Sequence, residues 1–285
     1  MPHLVDCAWL ADHLDDSDLR ILDCHVVFER VGGKLVVESG RSQWAQGHIP
    51  RSAHVDLLEA LSDRSSEYRF MMPPLSQVAT VMSDLGVGRG TRVVLYDRDV
   101  NMWAARVWWI LRAVGFHAAS VLDGGWRSWT RAGLSTSTAP APKHPRGDFA
   151  VTPRPESFVA KDDVLAAVDD DSVRLVNALG ASEHCGDTAN YGRRGHIPGA
   201  VNVPAASLVD PDTHMYIDIE ALRARFAPAL SPGTRRVITY CGGGIAASSD
   251  ALILSLLGRD DVAIYDASMS EWGSDPALPL TLDDG

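Results

Sequence analysis

The segment of the chain best suited to chemistry is Val237-Ile238-Thr239-Tyr240-Cys241-Gly242-Gly243-Gly244-Ile245-Ala246-Ala247-Ser248-Ser249. A β-branched run ends at a cysteine, three glycines follow, and a helical pattern begins. Glycine adopts backbone conformations closed to other residues and leaves its N–H uncovered. A curled loop of this kind aims its N–H groups and the helix N-terminus at Cys241. Such a cradle favours an anion, and at a cysteine the anion is a thiolate or a persulfide. The C-terminal end of a parallel strand is also where open α/β sheets bind ligands.

Other uses of the same residues are weaker. An isolated free cysteine is most often a small buried hydrophobe, but here strand, cysteine, glycine loop and helix stand in sequence. Gly242-x-Gly244-x-x-Ala247 fits the dinucleotide fingerprint, yet too little chain follows it to complete a dinucleotide-binding sheet. No Gly-Lys-Ser/Thr follows, which excludes a P-loop. A cysteine phosphatase needs an arginine six residues past the nucleophile, and Ala247 stands there.

The elements that must position this loop occur twice. Leu19-Arg20-Ile21-Leu22-Asp23 answers Val173-Arg174-Leu175-Val176-Asn177, and Gly47-His48-Ile49-Pro50 recurs as Gly195-His196-Ile197-Pro198. Val93–Asp97 answers Val237–Cys241, so Asp97 stands where Cys241 stands. Val121-Leu122-Asp123 with Trp129 answers Ile264-Tyr265-Asp266 with Trp272. The separation falls from 154 to 143 residues along the series, so the second copy is shorter in its loops. Within each copy β-branched runs alternate with amphipathic helical stretches, the signature of a parallel sheet with helices on both faces. In the second copy the spacing predicts strands at Arg174–Val176, Val201–Val203, Arg236–Tyr240 and Val262–Tyr265, and helices at Ile219–Phe226 and Ala246–Leu257. The prolines between Pro140 and Pro155 predict an extended linker. The expected domains are 1–145 and 146–285, a length suited to two cores. The tryptophans Trp103, Trp108, Trp109, Trp126 and Trp129 of the first copy are expected in its core.

Composition narrows the partners. With 26 basic and 37 acidic residues the net charge is −11, which argues against nucleic acid or an anionic membrane surface. No apolar run approaches the length of a membrane span, and the N-terminus has no signal-peptide pattern. The four cysteines, Cys7, Cys24, Cys185 and Cys241, form no CxxC pair, so reduced thiols in the cytoplasm are expected rather than disulfides, and no metal.

The tandem copies, the two Gly-His-Ile-Pro motifs, Leu61-Ser62-Asp63-Arg64 leading to Met72-Pro73, Tyr96-Asp97, Arg106-Val107-Trp108-Trp109, Leu122-Asp123-Gly124-Gly125 and Glu271-Trp272 together resemble the two-domain rhodaneses. These are the thiosulfate and 3-mercaptopyruvate sulfurtransferases. The resemblance covers nearly the whole chain. It implies two tandem rhodanese-like α/β domains, the first catalytically silent and the second catalytic. It implies sulfane sulfur carried as a persulfide on Cys241, cradled by Gly242, Gly243, Gly244, Ile245 and Ala246, at a site between the domains. The donor would be thiosulfate or 3-mercaptopyruvate, the acceptor cyanide or a thiol, with no cofactor. His48 lies in the segment resembling the family's interface histidine, whereas His196 is expected to be structural.

The match also departs from the family. Mercaptopyruvate enzymes read like Cys-Gly-Ser-Gly-Val-Thr, and both hydroxyls are absent here. Thiosulfate enzymes carry cations after the cysteine, and Gly242 and Gly243 supply none. A substrate-facing arginine is replaced by Glu183, while Arg193 and Arg194 are candidates to restore positive charge by holding a carboxylate. That pattern predicts a preference for mercaptopyruvate over thiosulfate. The alternative is a low-turnover persulfide carrier or sulfide-responsive binding module.

Overall fold

The computed structural model describes residues 1–282. The chain forms two compact units. The first comprises Met1–Ser65, Met72–Arg154 and Pro211–Tyr216; the second comprises Ser66–Met71, Pro155–Asp210 and Ile217 onward. Each half of the chain therefore contributes a six-residue strip to the other half's unit.

In the second unit five strands lie in the order Val201–Asn202, Val173–Asn177, Arg236–Tyr240, Val262–Tyr265, Phe158–Val159, all parallel. The first unit repeats that order with Ser52–His54, Leu19–Asp23, Arg92–Tyr96, Ala119–Leu122 and Leu4–Val5, again all parallel. Burial explains the run of apolar residues in the central strands: Val237, Ile238, Thr239 and Tyr240 are all buried, as are Val93, Val94, Leu95 and Tyr96. Trp103, Trp108, Trp109 and Trp129 are buried in the first unit, with Trp126 packed partly exposed against its core.

The recurrence of Gly-His-Ile-Pro has a physical cause. The last tyrosine of each central strand accepts, through its buried hydroxyl, the backbone N–H of the motif's isoleucine: Ile49 to Tyr96 at 3.3 Å and Ile197 to Tyr240 at 3.2 Å. Each motif histidine also forms an isolated antiparallel bridge, His48 with Ser137 and His196 with Thr281. The largest fall in the offset, from 154 at the second strand to 148 at the motif, is explained as well. After its second strand the first unit inserts a hairpin, Val26–Val31 paired with Lys34–Ser39, where the second unit has a short helix, Ala181–His184, and a loop.

The proline-rich stretch is extended but packed. Gly147, Thr152 and Arg154 donate their N–H groups to the carbonyls of Ser83, Val114 and Ala113, and Phe149 packs against Phe116 with the rings tilted by 34°. It stays with the first unit as far as Arg154 rather than changing allegiance near residue 145. All four cysteines are free thiols. No helix among the described residues is long and apolar enough to cross a membrane.

Candidate active site

Cys241 follows the central strand of the second unit and is 2% exposed. Its loop is fixed from one side by the segment after the neighbouring strand. Ser268, in a left-handed conformation with φ 53°, accepts the Cys241 N–H on its hydroxyl at 3.0 Å and donates that hydroxyl to the Tyr265 carbonyl. Met269 N–H donates to the Cys241 carbonyl, and both the N–H and the hydroxyl of Ser270 donate to the Gly242 carbonyl. With its carbonyls turned to that side, the loop reaches Gly244, whose φ of 76° starts the helix Ile245–Leu256. The N–H groups of a first helical turn have no intrahelical partner. Ile245, Ala246 and Ala247 supply such groups beside the cysteine.

The three glycines are not equivalent. A Cβ at Gly242 would overlap the phenol of Tyr191. At Gly243 the nearest atom to such a Cβ is the Arg69 carbonyl oxygen, 3.7 Å away, so this position has room. Gly244 needs its left-handed backbone.

The equivalent loop of the first unit holds a carboxyl group. Asp97, fully buried, accepts the N–H groups of Asp99 and Asn101 on one oxygen and those of Trp103 and Ala104 on the other, at 2.9–3.2 Å. Trp103 and Ala104 lie in the first turn of the helix Met102–Ala113, which starts at left-handed Asn101 as its counterpart starts at Gly244. Burial pushes the Asp97 carboxyl up to about 7, and its backbone donors pull the other way.

Cys7 and Cys24 sit in settings that disfavour a thiolate. Burial pushes the Cys7 thiol up to about 11 and the Cys24 thiol well above its ordinary value, with nearby aspartates adding to both. Among the described residues no group of three or more His, Cys, Asp or Glu is placed to hold a metal.

Several residues singled out from sequence have other partners. Arg193 donates to the carbonyls of Gly273, Leu278, Trp272 and Asp275, and Arg194 to those of Gly186 and Asp187. Those loops have no strand partners for their carbonyls, so the guanidinium groups supply the missing donors. Glu183 accepts from Asn190 and Ser182, closing its own loop. His48 is buried, stacks on Trp44 at 4.2 Å and bonds that residue's carbonyl through Nδ1. His196 does the same with His184, at 3.7 Å. Both motif histidines are thus packed into their own units, and the two arginines that are candidates from sequence to hold a carboxylate donate to main-chain carbonyls. Ser268, Ser270, Tyr191 and Arg69, which hold or flank the loop, carry no local signal in the sequence.

Residues 6–132 and 160–275 each match the rhodanese-like domain. The chain belongs to the rhodanese family. It is 33% identical over 279 residues to the 3-mercaptopyruvate sulfurtransferase of Escherichia coli K12, covering 97% of this chain and 96% of that one. It is 30% identical to the thiosulfate sulfurtransferase of Bos taurus, covering 94% and 91%. The crystal structure of the 3-mercaptopyruvate sulfotransferase SseA from Escherichia coli superposes with a TM-score of 0.81 at 31% identity, over 94% of this chain and 99% of that one. This rhodanese is accordingly an enzyme of the sulfurtransferase class, with two tandem domains of one fold.

Proposed function

We propose that this rhodanese moves sulfane sulfur from a small anionic donor to a nucleophilic acceptor through a persulfide on Cys241. The supporting observation is the matched loop of the first unit, where a buried carboxyl takes four backbone N–H donors. The second unit has the same strand and a helix that likewise starts at a left-handed residue, joined by a turn one residue shorter, with a thiol in place of the acid. Backbone N–H groups that converge on one buried acceptor offer the same donors to a sulfur anion at the same station.

The proposed chemistry is a double displacement. The Cys241 thiolate attacks the sulfane sulfur of thiosulfate. A sulfur–sulfur bond forms at the cysteine as the donor's own sulfur–sulfur bond breaks, and sulfite leaves with the electron pair. With 3-mercaptopyruvate the carbon–sulfur bond breaks instead. Its electron pair stays on carbon, which takes the thiol proton and leaves as pyruvate. Cyanide or a thiolate then attacks the outer sulfur, and Cys241 departs as the thiolate it began as.

The test is a serine scan of the four cysteines with both donors, cyanide as acceptor, and intact mass after donor treatment. Cys241→Ser should lose turnover and the added sulfur atom together. Cys7→Ser and Cys24→Ser should keep both. Sulfur loading that survives Cys241→Ser would refute the assignment. Loading without turnover on either donor would identify a carrier.

A further inference from the structure

A sulfur donor brings one or two negative charges to Cys241, and the loop after it carries no cationic side chain. Position 242 is closed to one by the Tyr191 phenol. Arg193 and Arg194 are engaged with carbonyls, and Lys161 lies 3.9 Å from Glu271 and 3.6 Å from Asp275. The strip Ser66–Met71, which belongs to the second unit, brings the backbone of a further cationic residue, Arg69, beside the loop. The Arg69 carbonyl oxygen stands nearest to the open side of Gly243, two residues beyond the cysteine.

The strip is pinned on both sides of Arg69. Tyr68 packs against the hydrophobic core of the second unit, and Met71 is part of it. Between them buried Phe70 holds φ 67°, a left-handed backbone rare and costly for a bulky aromatic residue. Such strain persists only where the surroundings enforce it. The Arg69 side chain is exposed and makes no hydrogen bond or ion pair with any described residue. Glu67 and Glu271 both act on Tyr68 beside it, and of the two only Glu271 has Lys161 within 4 Å.

We propose that Arg69 is a specificity-determining residue of the Cys241 site, its guanidinium holding the sulfonate or carboxylate end of the sulfur donor. The proposal rests on Cys241 as the sulfur-carrying residue. The α-carbons of Cys241 and Gly243 are at most about 7.6 Å apart, so the strip that carries Arg69 flanks the loop within two residues of the cysteine. The guanidinium fork matches three-oxygen and two-oxygen anions alike. A compact dianion depends on it more than a monoanion does.

Thiosulfate binding is measured by calorimetry on the full chain carrying Cys241→Ser, alone and combined with Arg69→Ala or Arg69→Lys. Arg69 is exposed, so these variants keep the fold. Arg69→Ala should weaken thiosulfate about ten- to a hundredfold and pyruvate by less, and Arg69→Lys should recover part of the loss. With Cys241 intact, the same substitution should raise KM for thiosulfate and leave kcat nearly unchanged. Equal thiosulfate affinity with and without Arg69, or no thiosulfate binding to the Cys241→Ser chain, overturns the proposal. Arg69-dependent binding in a chain that never acquires sulfur would instead overturn the persulfide function and leave the binding role standing.

Discussion

At the scale of single residues, Asp250 is the costliest group in the second unit. It lies in the helix that starts at the Cys241 loop, is fully buried, and neither carboxyl oxygen has a hydrogen-bond partner. Burial alone pushes its pKa well above the carboxylate range. A raised folded value means that the folded state holds the proton more tightly than the unfolded chain. Below about pH 4, where both states are protonated, this imposes no penalty. As pH rises above that, the unfolded chain ionises first and folding loses stability. Asp250→Val should therefore stabilise the protein at neutral pH by about 1–3 kcal/mol. Its melting temperature should exceed that of the parent by a margin that widens from pH 4 to pH 7. A margin that is constant with pH, or a destabilised variant, would show that the carboxyl has found a partner in solution.

At the scale of the element, the loop Cys241–Gly244 owes its shape to neighbours from three distant stretches of chain. Ser268 and Ser270 hold its carbonyls and first N–H, Tyr191 covers Gly242, and Arg69 flanks Gly243. This ranks the glycines by experiment. Gly242→Ala must displace a phenol packed on the core, an overpacking cost of about 1–3 kcal/mol. Activity should fall about tenfold or more on that scale. Tyr191→Ala in the same chain should recover much of the loss. Gly243→Ala should be nearly silent. Steady-state assays on the three variants decide the matter, and equal effects at 242 and 243 would contradict the packing described. The loop itself is legible in the sequence because its glycines and the strand before it are contiguous. Its supports are not. Nothing local marks Tyr191 or Arg69, and Arg193 and Arg194 look like substrate ligands until the carbonyls of residues 272–278 are seen to take donors from the first and those of Gly186 and Asp187 from the second.

At the scale of the whole molecule, the repeat is readable because each copy must rebuild one sheet with the same tyrosine-to-isoleucine lock. The exchange of strips is not readable, since Ser66–Met71 and Pro211–Tyr216 resemble ordinary loop sequence. The proline stretch misleads for a related reason: lacking donors rules out regular structure but not packing. The exchange has a measurable effect. A fragment beginning at Pro155 lacks Met71, which is 9% exposed within the core of the second unit. Emptying a buried methionine site costs about 2–5 kcal/mol. The fragment's urea midpoint should lie well below that of the second unit within the full chain, with more apolar dye bound. An unchanged midpoint would show that the strip adds nothing.

The carboxyl of Asp97 has a last implication, one of stoichiometry. It is part of the chain and already takes the N–H groups of the loop it fills, so a dissolved anion would have to displace it. The first unit is thus a vessel already full, closed to competition from donor, product or inhibitor. However much donor is supplied, one chain should hold a single reactive sulfur. Anions that compete for the protein should then follow a one-site isotherm, despite the twofold repeat of its architecture.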